Sequence, residues 1–194
     1  MDEAKATILS TFQDICLSTE EEDLLLDRFR KKELNRGDHL FRAGHTVACQ
    51  YFISKGCLRT YFIDDAGKQH TLQFAITDWW ISDYTAFFSE DKATLNIECV
   101  QDAVVLEVSK TSMDELYRQI PKLEGFFRRK MERAFASFQK RILGNLALSA
   151  KQRYENFIHT YPEIEKSVKN YHIASYLGIT TESLSRIRKE ITKN

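Results

Sequence analysis

The stretch KNYHIASYLGITTESLSRIRKEI, residues 169–191, decides how this chain is read. Its apolar residues Ile173, Leu177, Ile179, Leu184, Ile187 and Ile191 fall at helical steps on either side of Leu177-Gly178-Ile179-Thr180. Gly178 suits the left-handed backbone that ends a helix, and Thr180 can cap the next one. The pattern predicts two short helices, about 169–177 and 181–191, joined by a tight turn and crossing closely at the small Ala174. Burying Leu184, Ile187 and Ile191 turns Thr181, Glu182, Ser185, Arg186 and Lys189 outward, the set a recognition helix presents to a major groove. Arg186 can give two hydrogen bonds to guanine, Glu182 can accept from cytosine N4, and Thr181 or Ser185 can contact bases or phosphate. Lys169, Arg188 and Lys189 suit phosphates, with Thr180 beside them at the helix start. A plain αα-hairpin would use the same letters, with Glu182 complementing the helix dipole and Arg186 pairing with it one turn on.

What surrounds this stretch favours the first reading. The chain of 194 residues carries 28 Lys and Arg against 28 Asp and Glu, a net charge of zero that excludes a uniformly basic nucleic-acid coat. Residues 140–194, however, hold ten basic and five acidic side chains, which leaves 18 basic and 23 acidic before them. A net +5 tail behind a net −5 front is what a nucleic-acid module joined to a different domain would give. Between the two, Pro121 to Leu146 reads as one long helix, with Leu123, Phe127, Met131, Ala134, Phe138 and Ile142 recurring at three- and four-residue steps. Phe126, Phe135 and Leu143 widen the stripe. Packing on its own domain would bury one face; a stripe wide enough for two, on a helix joining two modules, points to a parallel homodimer seam.

Further toward the start the period changes. Residues 3–18 and 19–32 have helical spacing, with Ser18 and Glu20-Glu21-Glu22 as a cap and acidic first turn. From Leu34 short apolar and β-branched runs follow: 40–41, 51–53, 58–63, 71–76, 96–100 and 104–108. Turn signals separate them at Arg36-Gly37-Asp38, Ala43-Gly44-His45, Lys55-Gly56 and Asp64-Asp65-Ala66-Gly67. Such strands predict an antiparallel β-roll of the jelly-roll or double-stranded β-helix type, so the fold class is α+β: the roll with flanking helices, the long helix, and an all-α C-terminal domain. A composition of 43% apolar, 12% aromatic and 29% charged residues is globular. The expected division is 1–120 as a sensor domain, 121–146 as the dimerisation helix and 147–194 as the reading domain.

Other function classes find little support. Cys16, Cys49, Cys57 and Cys99 have no metal-like spacing and the five histidines are dispersed, so neither a zinc site nor a disulfide framework is expected, and no cofactor is identified. No nucleophile elbow, P-loop or paired His motif for zinc occurs, and the chain is read as no enzyme. No run of about 18 apolar residues and no signal-peptide pattern after Met1-Asp2-Glu3 is present; the expectation is a cytoplasmic protein with no membrane partner. Trp79, Trp80, Tyr84, Phe87 and Phe88 are read as packing between roll and helices.

Across nearly all its length the chain resembles the Crp/Fnr family of bacterial transcription regulators. The resemblance rests on Ile173 to Ile187, where the family's Glu-x-x-x-Arg pair is Glu182 and Arg186, and more weakly on Gly37, Gly44 and Gly56-Cys57-Leu58-Arg59. It implies a cyclic-nucleotide-binding-like β-roll, a dimerisation helix and a helix-turn-helix that reads palindromic double-stranded DNA, with RNA polymerase as a further partner. Members that bind cyclic AMP carry Phe-Gly-Glu and, ten residues after the Glu, an Arg followed by Ser or Thr. Here the matching register gives Ser82-Asp83 and Ala93-Thr94, a candidate effector pocket that keeps an acid and a hydroxyl but has lost the arginine. An anionic phosphate desolvated without that partner would lose roughly several kcal/mol, which argues against cyclic AMP and leaves the effector unknown or absent. The resemblance also implies a β-wing after the recognition helix, for which a chain ending at Asn194 has no residues, and in some members an iron–sulfur cysteine cluster, which the spacing of Cys16 and Cys49 does not match. A sequence-specific regulator is the leading expectation; the alternative is a ligand-binding or protein-interaction module of the same fold that has lost DNA binding.

Overall fold

A capping box starts the first well-formed helix pair: Ser18 Oγ accepts from the Glu21 N–H at 3.3 Å while the Glu21 carboxylate accepts from the Ser18 N–H at 2.7 Å. The structure, a computed structural model, describes residues 3–192; the expectations that rest on Met1-Asp2 and on Lys193 and Asn194 fall outside those residues. α1 (Glu3–Thr11) and α2 (Thr19–Arg28) are shorter than the spacing predicts: residues 12–15 form a turn and a bend after α1, and Arg30–Leu34 leaves the second helix to become strand β1. Strands β2 (His39–Phe41), β3 (Cys49–Ile63), β4 (Gln69–Ile76), β5 (Trp80–Ile81) and β6 (Asn96–Ser109) complete one sheet in the order β1-β6-β3-β4, with β2 on β6 and β5 on β3. The pairings of β1 and β2 with β6 and of β5 with β3 are antiparallel, from Arg30↔Glu107 to Leu34↔Ala103 and at Tyr51↔Ile81. This is the expected roll.

Two of the expected strand breaks do not exist. The runs 51–53 and 58–63 belong to the single strand β3, and 96–100 and 104–108 to β6. Gly56, taken as a turn, instead sits inside β3 at φ +92°, pressed against the facing backbone. A Cβ there would lie 2.7 Å from Ala103 Cα and closer still to the Asp102 carbonyl oxygen, so the glycine permits a close approach rather than a reversal.

Helices follow the roll: α3 (Tyr84–Ser89), which has no counterpart in the sequence reading, lies between β5 and β6, then come α4 (Lys110–Gln119), α5 (Lys122–Ala147), α6 (Ala150–Thr160), α7 (Pro162–Ser167), α8 (Asn170–Leu177) and α9 (Thr181–Ile191). Pro162 is the first residue of α7, where its missing N–H is no loss.

The chain divides into two units, residues 1–60 with 74–132, and residues 61–73 with 133–194. In the first, Phe41, Ile53, Leu58, Phe87, Ile97 and Val105 are among the side chains that fill the roll. A second core joins α1, α2, α4 and the first turns of α5, with Phe12, Leu25, Phe29, Leu116, Leu123, Phe126 and Phe127 around Trp80. The Trp80 and Phe127 ring centroids are 4.8 Å apart at 66°, as the sequence reading of the aromatic run requires for Trp80, whereas Phe88 is 62% exposed and does not fit that reading. In the second unit the β3–β4 tip is closed by Asp64, which accepts from the Lys68 N–H at 2.9 Å and meets His70 Nε2 at 2.7 Å.

Gly56→Ala is expected to lower stability by about 2–4 kcal/mol, since both the positive φ and the backbone contact oppose a methyl group. Gly67→Ala, also at positive φ but with open space around it, should lower it by only about 1 kcal/mol, and urea unfolding of the two variants checks the difference.

Candidate nucleic-acid interface

Within the second unit, α8 ends on Gly178 at φ +66°, whose N–H donates to the Ala174 and Ser175 carbonyls, and Ile179 N–H returns to Ala174 O at 3.0 Å. Thr180 then caps α9, its hydroxyl accepting from the Ser183 N–H at 3.2 Å. The predicted turn chemistry is thus what holds the two helices. Ile173, Ala174, Leu177, Leu184 and Ile187 are buried between them, and Glu182, Ser185, Arg186 and Lys189 are exposed on one face of α9, with Thr181 half-buried at its start. Lys169 is exposed at the start of α8, its ammonium 5.6 Å from the Tyr171 ring centroid.

Glu182 has a defined electrostatic setting. Its own backbone N–H at the start of α9, then the Thr180 and Thr181 hydroxyls, hold its carboxyl below the usual range, so it is an acceptor at neutral pH. Among the described residues Arg186 has no ion-pair partner. The two are therefore free to present an acceptor and a fork of donors one turn apart, the chemistry that tells cytosine from guanine.

Arg188 departs from the expectation. Its Nε donates to Tyr154 Oη at 3.0 Å, Nη1 to Asn170 Oδ1 at 2.5 Å, and Nη2 lies 2.8 Å from Glu165 Oε1. Tyr154 Oη in turn donates to Glu165 Oε1 at 2.9 Å. One guanidinium thus ties α9 to α6, α7 and α8, and is not available to a phosphate. Nothing in the sequence distinguishes it from Lys189; the burial of Tyr154 across the domain decides it. Ser175 and Tyr171 are likewise missed by the sequence: the Ser175 hydroxyl bridges Thr71 N–H at 2.8 Å and Gln69 O at 2.9 Å, and Tyr171 is 49% exposed beside Lys169. Partners more than a hundred residues away leave no local pattern.

The apolar residues expected to form a dimer seam divide along α5 into a buried and an exposed set. Leu123 and Phe127 are buried in the first unit's own core and Met131 is half-buried against it, so a second chain cannot reach the first two. From Glu132 to Lys140 every residue is exposed, Ala134 and Phe138 among them. Phe135 (70% exposed), Phe138, Ile142, Leu143 and Leu146 (80%) form an uncovered apolar stripe over three turns.

The cassette region is closed. Ser82 is buried and donates to the Cys49 carbonyl at 3.0 Å; Ala93 is buried with its methyl in the core of the roll; Thr94 is exposed. Asp83 is fully buried and caps α3, accepting from Ala86 N–H at 3.3 Å, while its other oxygen accepts from the N–H groups of Thr94 and Leu95 at 2.9 and 3.0 Å and from the Thr94 hydroxyl at 3.3 Å. The four residues do come together, but the acid is engaged by the chain itself. A separate recess of about 250 Å³, lined by Asp27, Arg28, Arg30, Cys49, Glu107, Ser109 and Ser112, shares none of them. Among the described residues no three His, Cys, Asp or Glu side chains are placed to hold a metal, and burial pushes the Cys57 and Cys99 thiols up to about 12 and about 11.

Residues 31–120 match the cyclic nucleotide-binding domain family. The chain is 26% identical over 171 residues to the anaerobic regulatory protein of Haemophilus influenzae, covering 81% of this chain and 65% of that protein. It is 23% identical over 194 residues to the transcriptional activator protein Anr of Pseudomonas aeruginosa, covering 93% and 78%. Its fold is that of CLP from Xanthomonas campestris, described as a c-di-GMP-responsive global regulator, with a TM-score of 0.73, 12% identity and coverage of 91% and 92%. The chain thus spans about two thirds of the length of the Haemophilus relative, and these relatives are regulators rather than enzymes.

Arg188→Ala is expected to destabilise the protein by about 2–4 kcal/mol, because Glu165 and Asn170 lose their shared partner, whereas Arg186→Ala stays within about 0.5 kcal/mol. Thermal unfolding of the two variants side by side checks the assignment.

Proposed function

We propose that the chain is a Crp/Fnr-type transcription regulator, as its match to the cyclic nucleotide-binding domain family and its regulatory relatives support, and that it acts in the cytoplasm as a homodimeric, sequence-specific DNA-binding regulator whose β-roll does not take cyclic AMP. The observation that carries the reading is the exposed set on α9, Glu182, Ser185, Arg186 and Lys189, presented on one face by a capped turn. In this reading Arg186 and Glu182 read base edges, Ser185 and Thr181 contact bases or backbone, and Lys169, Thr180 and Lys189 lie on phosphates. Arg188 sets the pose of α9 rather than touching DNA.

The uncovered stripe on α5 supports pairing with a second copy. A rigid helix carrying Phe135, Phe138, Ile142, Leu143 and Leu146 in a row would bury all five against a two-fold related helix. Such a dimer presents two recognition helices to half-sites about 10 bp apart, centre to centre, or a multiple of that spacing, which makes the operator a palindrome. RNA polymerase is the proposed partner of the bound dimer. Residues 1–120 form the sensor, 121–146 the dimerisation helix and 147–194 the reading domain. The argument against cyclic AMP is the buried methyl of Ala93 where the resemblance calls for arginine, together with an Asp83 already fully hydrogen-bonded.

Selection of bound duplexes from a random pool should return a palindrome with binding that falls steeply as salt rises. Arg186→Ala should relax preference at one position per half-site by about 1–3 kcal/mol, and Lys169→Ala should weaken all sequences evenly while reducing the salt slope by about 1. A pool with no enriched motif would end the sequence-specific reading. Phe138→Glu with Ile142→Glu should raise the dimer dissociation constant roughly 100-fold or more, measured by sedimentation; an unchanged mass distribution would rule out this face as the seam.

A further inference from the structure

β4 stands last in the strand order of the sheet, next to β3. One side chain of α8 reaches its backbone: the Ser175 hydroxyl accepts from the Thr71 N–H at 2.8 Å and donates to the Gln69 carbonyl at 2.9 Å. Groups two residues apart on a strand face the same edge, so Ser175 supplies to β4 the acceptor and the donor that a neighbouring strand would supply. The same residue also acts through its own backbone. The Ser175 carbonyl accepts from the Gly178 N–H at 3.2 Å, in the turn that leads into α9. Tyr176, the next residue, is held elsewhere: its ring centre lies 5.1 Å from the Arg141 guanidinium carbon of α5 and 5.5 Å from the Phe157 ring of α6. Neighbouring residues on a helix point about 100° apart, so α8 meets α5 and α6 on one side and the hairpin on another. The hairpin tip is itself braced. Asp64 accepts from the Ala66 and Lys68 N–H groups and meets His70, on whose ring Phe62 stacks at 4.7 Å. Residues 61–73 of the hairpin fall in the same unit as α8 and α9.

We propose that Ser175 is a positioning residue for the reading helix: its hydroxyl completes the edge of β4 and its carbonyl closes the turn before α9, so that the state of the β3–β4 tip sets the pose of α9 and with it the affinity for double-stranded DNA. Ser175 acts through the helix that follows it, without a contact of its own to base or phosphate. β3 and β4 run on from the tip into the first unit, which gives that unit a covalent route to the turn before α9. The consequence for DNA rests on the reading of α9 proposed above; the coupling of tip to turn does not.

The test compares Ser175→Ala, Ser175→Cys and Ser175→Thr in the full chain. Alanine is the better helix former, so Ser175→Ala does not weaken α8 by itself. Exchange of the Thr71 amide proton, followed by NMR, should accelerate roughly 10-fold or more in Ser175→Ala. Ser175→Cys, which keeps the volume but bonds weakly, should follow it, and Ser175→Thr, which keeps the hydroxyl, should exchange as wild type does. Coupling is read by loosening the tip with Asp64→Ala. That change should shift the Gly178 and Ile179 amide resonances in the wild-type background and leave them fixed in the Ser175→Ala background. On a duplex recovered from a random pool, Ser175→Ala should lower affinity about 3–10-fold, alike for all sequences, and Ser175→Thr should restore it. The salt slope should stay that of wild type, because no phosphate contact is lost, whereas Lys169→Ala reduces it. If the pool returns no duplex, the reading of α9 fails, and the exchange and resonance measurements still decide whether Ser175 couples the tip to the turn. Unchanged Thr71 exchange in Ser175→Ala, Gly178 and Ile179 resonances that ignore Asp64→Ala or respond to it with and without the hydroxyl, or a Ser175→Ala protein with wild-type affinity or a reduced salt slope would overturn the proposal.

Discussion

The anchoring of Leu123, Phe126 and Phe127 in the aromatic core around Phe12, Phe29 and Trp80 is the contact on which the rest depends. Each of these side chains contributes about 1.5–3 kcal/mol by leaving water, enough to fix the first turns of α5 firmly. The helix continues without a break to Ala147, and every residue from Glu132 to Lys140 is exposed. An α-helix cannot bend its apolar stripe back onto a core it has left. What remains exposed is therefore a surface that a second copy is proposed to cover.

Three charged groups with little or partial exposure are paired or hydrogen-bonded inside the fold. Arg59, only 2% exposed, meets Glu98 through Nε and Nη2 at 2.9 and 2.6 Å. Arg188 meets Glu165, Tyr154 and Asn170, and Asp83 meets three amides and a hydroxyl. Each of these groups was open to a functional reading on its own, yet each is tied to partners inside the fold, and an uncompensated buried charge is a heavy penalty. The side chains on the outer face of α9, Glu182, Ser185, Arg186 and Lys189, are the contrasting case: exposed, and arranged by a cap and a glycine turn. The contrast separates charges that build the domain from those left to act outside it.

The helix-turn-helix was legible because everything that makes it is local. Apolar spacing, Gly178 at positive φ and Thr180 as cap lie within eleven residues, from Ile173 to Ser183. The roll was legible as a set of apolar runs but not in its strand lengths, since a glycine marks a close approach as well as a turn. Only the facing Asp102 and Ala103 decide which one Gly56 is. Pro162 was ambiguous for a similar reason, being as suitable to begin a helix as to end one. α3 was invisible because six residues hold too little periodicity to register.

By itself, then, the sequence determined the α+β class, the helix-turn-helix with its outward Glu182 and Arg186, the charge asymmetry, and the absence of an arginine at Ala93. These follow from short-range periodicity and from residue identity, which a linear chain carries in full. Tertiary structure alone decided that Leu123 and Phe127 face inward, that Arg188 ties four helices, and that Asp83 closes on Thr94 and Leu95. The physical reason is the same in each case. A side chain's role is set by the donors, acceptors and apolar surface it meets, and for these residues those partners lie on other elements, brought together only when the chain packs.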